Sequence, residues 1–258
     1  MKTNKSKISG VALLFFRELV RDRVFLTLSA AAMLLVFASL ILNEMVVGEE
    51  IKAVKDLGLS ILNIFSLFIL IFSGVNLVSR DLNRKTLYFL FAKPVNRRQY
   101  LTGSFLSIVF TVLSGILVIL AVVFLLSWLQ GEVWLGGLLT AGYLTLLEML
   151  VVLSFAVLFA VSTSPQLAMF LTLLVYVIGH TIDKAAHIVE KSANVVLKYF
   201  IIVLNGLLPN LEYFNKKSDI IYRVAVPAGY FLNATLYSLS YTLLIFLIAV
   251  YILNRKEI

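Results

Sequence analysis

Glu148 is the one carboxylate set inside a long uncharged apolar run, and the chain's two histidines, His180 and His187, fall with Asp183 at i, i+3 and i+7 of one prospective helix. Imidazole and carboxylate at helical spacing suit metal binding or proton handling, but three ligands stretched over two turns are a weak zinc pattern. The pair Glu49-Glu50 falls in a connection between apolar runs, not on a span facing the histidines, so the arrangement for metal-assisted hydrolysis is missing. The chain contains no cysteine, which removes thiolate ligands, disulfides and a nucleophilic thiol together. It also contains no Gly-x4-Gly-Lys-Ser/Thr phosphate loop, so any nucleotide hydrolysis belongs to another polypeptide. No catalytic, cofactor-binding or metal residue is assigned, and the chain itself is not expected to be an enzyme.

The remaining chemistry is that of polar groups in apolar surroundings. Glu148 lies about 10 residues into its run, roughly 15 Å deep as a helix. An ionisable group at such depth is costly and therefore marks a functional site by default, unless protonation or a polar neighbour satisfies it. Thr172, Tyr176, His180, Asp183 and His187 gather within about one quarter of a helical circumference. Asn63, Ser66, Ser73 and Asn76 make a looser polar side on an earlier run. The two faces are candidates for lining a polar path; interhelical hydrogen bonding is the other use for such residues.

The elements that position these groups are membrane spans. Apolar residues make up 61% of the 258 positions and the mean hydropathy is +0.99, against roughly 45–50% apolar in soluble domains. Uncharged runs of about 20 residues recur, enough to cross roughly 30 Å of hydrocarbon. The formal charge of +8 comes from Lys and Arg clustered beside those runs, where orientation and anionic lipid explain them and nucleic acid is not needed. An all-α polytopic protein follows, a single transmembrane domain over 1–258. Its spans are placed at 24–43, 57–79, 101–129, 138–161, 165–182 and 224–253.

Residues 8–23 carry Ala12, Phe15, Phe16 and Leu19 on one side and Arg17, Glu18, Arg21 and Asp22 largely on the other. Such a helix suits the headgroup region, or serves as a flank that sets orientation. Nothing resembling a cleavage site follows the basic start, so no processed leader is expected. Ser162-Thr163-Ser164-Pro165 reads as a tight break, with Ser164 as cap and Pro165 in the first helical position. Between Asp183 and Arg223, charges punctuate apolar pieces too short to cross, which points to a re-entrant or interfacial segment before the last span.

The stretch 79–104, SRDLNRKTLYFLFAKPVNRRQYLTGS, is too charged for lipid. Arg80, Arg84, Lys85, Lys93, Arg97 and Arg98 face the single acid Asp81, and the positive-inside rule puts this loop, and with it both termini, in the cytoplasm. From 81 to 92 a helix would gather Leu87, Leu90 and Phe91 on one side while Asp81 and Lys85 project elsewhere, an apolar face able to seat in a partner's groove. Pro94 would stop it, and Asn96 can cap the helix that re-enters the membrane. A surface loop whose cations bind lipid headgroups is the plainer alternative.

These residues resemble the permease subunits of ABC transporters of the ABC-2 type. Members carry an acidic residue, Gly-Thr, a Leu-rich segment, then Pro-Val-Ser-Arg, Tyr-Leu and Gly-Lys between their second and third spans. The matching positions are Asp81, Thr86, Leu87, Leu90, Pro94, Val95, Arg97, Tyr100, Leu101 and Gly103; Lys85, Asn96 and Ser104 depart from the pattern. The resemblance implies a dimeric unit, of two copies or of two relatives, in the cell membrane. Cytoplasmic ATPase subunits would drive it by docking on a coupling helix formed by Asp81, Arg84, Lys85, Thr86, Leu87, Leu90, Arg97 and Arg98, to export a substrate or transmit force. The competing expectation is a self-contained ion-coupled transporter working through Glu148 and the His180, Asp183, His187 face.

Overall fold

The computed structural model describes residues 4–43, 50–83, 96–131, 135–190, 204, 206 and 208–255, and every regular element among them is helical. The first, α1 (Asn4–Val20), stops where Asp22 turns the chain: its N–H reaches back to the Leu19 carbonyl at 3.1 Å, and its Oδ1 accepts the N–H of Val24 at 2.9 Å. That side-chain acceptor starts α2 (Arg23–Asn43), and the axis bends by 58° between 8–20 and 23–39.

The apolar side of α1, which the sequence assigns to the headgroup region or to a flank, packs inside the protein instead: Ala12, Phe15 and Leu19 are buried and Phe16 is half-buried. Its cover is α5 (Arg97–Leu129), a 33-residue helix. Phe15 meets Tyr100 edge-on at 5.9 Å between ring centroids, a favoured aromatic geometry. Gly103 lets the backbones close in, since a Cβ there would lie 2.6 Å from Cγ1 of Val11. The first turn of α5 forms as its residues dictate: Asn96 stands extended at the N-cap and its N–H donates to Oε1 of Gln99 at 3.0 Å.

The run after residue 49 is longer than the expected span. It begins as α3 (Glu50–Ile69), passes through a wide π turn at Leu70–Val75, and continues as α4 (Asn76–Asn83). Asp81 therefore lies in the last turn of α4, which runs on to Asn83, at the point where the sequence predicts the start of a separate coupling helix over 81–92. The rest of that expected helix, with Arg84, Lys85, Thr86, Leu87 and Leu90, lies outside the described residues.

Next come α6 (Leu135–Ser162) and α7 (Pro165–Glu190), parted at the predicted break: Pro165 opens α7, and Ala168 N–H bonds the Ser164 carbonyl at 2.9 Å. A 3-10 turn at Glu212–Phe214 and the short α8 (Lys217–Ile221) precede α9 (Ala228–Arg255). α6 is the centre of the bundle: 78% of its most apolar stretch is buried, against 28% for α7 and for α9. The outward leucines of α9, among them Leu232, Leu239, Leu243 and Leu247, suit a hydrocarbon surround.

Among the described residues five helical runs, 55–80, 97–129, 135–162, 165–186 and 228–255, are long and apolar enough to cross a membrane, and the bent α1–α2 pair makes a sixth if taken as one span. The protein is built to sit in a membrane. Tracing alternate helix directions puts the ends of α4 and α6 and the starts of α5 and α7 at one end of the bundle, called the base here. Residues 208–223 lie at the opposite end, the far end.

Candidate functional site

Glu148 sits near the middle of α6, about 20 Å along the helix from Leu135, and is 1% exposed. The bundle meets it from two sides. His180 of α7 brings Nε2 to 2.8 Å from Oε1, and Asn63 of α3 donates from Nδ2 to Oε2 at 3.2 Å. The second imidazole nitrogen, Nδ1, lies 3.1 Å from Oε2 of Glu212 in the 3-10 turn. Glu212 also takes the ammonium of Lys184 at 3.2 Å on Oε1 and the amide of Asn215 at 3.3 Å on Oε2. One histidine thus bridges two carboxylates from elements far apart in sequence, while Tyr176, one turn before it, sets its ring edge-on at 4.6 Å.

Access to this cluster is graded. The side chains of Glu148, His180, Glu212 and Lys184 are 2%, 18%, 25% and 69% exposed, so the cluster climbs from the sealed interior towards the far end. A cavity of about 390 Å³ runs beside it, lined by Asn63, Glu148, Tyr176 and His180 together with apolar groups such as Leu62, Leu144 and Phe214. Burial pushes the Glu212 carboxyl up, but hydrogen bonds from His180, Asn215 and Lys184, with the lysine's charge, outweigh it and hold the carboxyl below its ordinary value.

The segment that carries Glu212 is pinned by backbone contacts. Leu211 N–H donates to the Gly179 carbonyl at 2.9 Å, and a Cβ on Gly179 would lie 2.7 Å from Cγ of Leu211 and 3.0 Å from the Pro209 carbonyl. Only glycine lets the chain lie this close to α7. Asn210 N–H donates to the Tyr237 hydroxyl of α9 at 2.8 Å, and the rings of Tyr213 and Phe214 pack on Tyr237 at 5.8 and 5.9 Å. Nearby, Lys217 pairs with Asp56 at 2.8 Å and touches the Ser60 hydroxyl, tying α8 to the far end of α3.

Of the residues expected to line a path, the structure joins Asn63, Glu148, Tyr176 and His180 at one cavity. Thr172 is buried but bonds the Ala168 carbonyl of its own helix at 2.7 Å. The ion pairs reach Lys184 and not Asp183, and the side chain of His187 lies outside the described residues. Ser66 and Ser73 are buried with hydroxyls that find no partner among the described residues. Asn76 is exposed and follows the π turn, off the Asn63 side of the run. Among the described residues no cluster of three or more His, Asp or Glu forms a metal site.

A second constellation stands at the base. Arg80, at the end of the α3–α4 run, pairs with Glu18 of α1 at 2.6 Å. Across residues 84–95, Arg97 donates from Nη1 to the Leu253 carbonyl in the last turn of α9 at 3.2 Å, while Arg98 is exposed. Neither Glu18 nor Leu253 carried a sequence signal for this, and Glu212 and Lys184 carried none for the far cluster. The chain was compared with family models and with curated proteins, and none matches it.

Proposed function

We propose that the chain is the membrane-spanning permease subunit of an ATP-driven transporter of the ABC-2 type. It would pair with a second permease subunit, and a separate cytoplasmic ATPase would act on the basic loop between α4 and α5. The observation that carries this reading is the double tether at the base: the loop is tied at its entrance to α1 through Arg80–Glu18 and at its exit to α9 through Arg97–Leu253.

A loop moved by a partner does work on the spans only if its ends are coupled to elements that shift between states. The Arg80–Glu18 pair, about 40% exposed on both sides, contributes little energy by itself. Its value is positional, because the rigid part of the connection is the α1–α5 contact at Gly103 and Tyr100, where packing leaves no slack. Force on the loop would therefore reach α1, α5 and α9 together. The sequence pattern of the loop, with Asp81, Thr86, Leu87, Leu90, Pro94, Val95 and Arg97, agrees with this use. The polarity of its cations supports a cytoplasmic position for the base and for both termini.

The absence of native cysteine gives a direct test. An Arg98→Cys variant in intact cells is expected to resist a membrane-impermeant thiol reagent and to react once the membrane is opened. Labelling in intact cells would put the loop outside, beyond reach of an ATPase, and the reading would be withdrawn.

A further inference from the structure

The bridge from Glu212 through His180 to Glu148 has the form of a proton conduit. An imidazole can accept at one nitrogen while it releases at the other, and here both nitrogens face a carboxylate oxygen, at 3.1 and 2.8 Å. The exposure gradient sets the direction of supply, from Glu212 near the far surface to Glu148 sealed between α3, α6 and α7.

The charges facing His180 show that the cluster needs a proton. Glu148 faces it from α6, Glu212 from the 3-10 turn and Lys184 from its own helix; Tyr176 and Asn63 add neutral dipoles. Further out, Lys217 is matched by Asp56 and Lys216 by Asp219. Two carboxylates against one lysine leave one negative charge uncompensated, and uncompensated charge inside a bundle is expensive. A single proton, shared among His180 and the carboxylates, balances the cluster.

We propose that Glu212, His180 and Glu148 form a proton-loading relay that exchanges one proton between the far face and Glu148. In the transfer, Nε2–H of His180 passes to Oε1 of Glu148 as Nδ1 takes a proton from Oε2 of Glu212, and Glu212 recovers its own from water at its exposed side. One proton enters, one arrives at Glu148 and no electrons move. The ring is left as the Nδ1–H tautomer and regains Nε2–H when the step runs in reverse: once Glu212 has released its proton to water, Nε2 takes one back from Glu148 as Nδ1–H passes to Glu212.

Infrared difference spectroscopy of the purified full-length chain in lipid nanodiscs tests this, with the proton and deuteron as probes. As pH is lowered, the wild type is expected to gain a protonated-carboxyl band that shifts in D2O and is lost in Glu148→Gln. In His180→Gln, deuteron exchange onto that band is expected to slow by about 10²-fold or more, with Glu212→Gln slowing it in the same direction. Overturning results are a wild type with no titrating buried-carboxyl band, a band that persists in Glu148→Gln, or a His180→Gln exchange rate equal to the wild type. The wild-type titration decides the matter even if a variant does not fold. No partner or ATP enters the measurement, so its failure leaves the permease reading where it stood.

Discussion

His180→Ala removes the imidazole between two carboxylates and leaves Glu148, 1% exposed, with only the Asn63 amide at 3.2 Å among its described contacts. Breaking a buried ion pair from one side costs about 3–5 kcal/mol. At pH 7 that cost has a ceiling, since an ordinary glutamate can be neutralised for about 3.7 kcal/mol, at 1.36 kcal/mol for each pH unit above about 4.3. With Glu148→Gln already in place no buried charge is stranded, and losing His180 then costs only an unmet hydrogen bond and some packing, about 1–3 kcal/mol. The middles of those two ranges, about 3.4 and 2 kcal/mol, put the coupling between the two substitutions at about 1.4 kcal/mol, with about 2.7 kcal/mol as its upper bound. Thermal unfolding in detergent, followed by the fluorescence of the chain's two tryptophans, reads this as about 2–4 °C for each kcal/mol. His180→Ala should lower the midpoint by about 6–14 °C in the wild-type background, and by distinctly less when Glu148→Gln is already present, each compared with its own parent. An equal loss in both backgrounds would show that the imidazole and the carboxylate do not act on each other, and the bridge would be refuted.

Gly179→Ala forces a Cβ against Leu211 and the Pro209 carbonyl, so it should cost about 1–3 kcal/mol and weaken disulfide crosslinking between cysteines placed at 180 and 212. Gly103→Leu should displace α1 from α5 at Val11, seen as loss of crosslinking between cysteines at 15 and 100 while the rest of the chain stays folded. Glu212 is held below its ordinary value of 4.5, so its contribution to stability is present above that pH and is lost as the pH falls through the lowered value. Wild type should accordingly exceed Glu212→Gln in stability at neutral pH, with the two converging in acid; a gap unchanged down to low pH would contradict the assignment.

Local rules made part of the structure legible in the sequence. The start of α7 at Pro165 and the position of Asn96 ahead of α5 each depend on a few neighbouring residues, and both are found as expected; the apolar side of α1 was legible as a side, but its cover, α5, was not. Glu148 was legible as a costly group because it interrupts an apolar run, and His180 because it lies on a polar stripe. The two polar faces were drawn too generously: Thr172 turns to its own backbone, and Asn76 is exposed just after a π turn whose residues, LIFSGV, resemble any other apolar stretch. Glu212 was not legible at all, since its role depends on a close approach across Gly179 that no periodicity encodes. The same holds for Glu18 and Leu253 at the base, whose partners lie 62 and 156 positions away.

Purification of the full chain from native membranes in mild detergent, with every bound polypeptide identified, bears most directly on the central claim. The account predicts a stoichiometric partner carrying the Gly-x4-Gly-Lys-Ser/Thr loop that this chain lacks, released when residues 81–98 are replaced by a neutral linker. A chain that purifies without an ATPase and by itself moves solute on a proton or sodium gradient would contradict it.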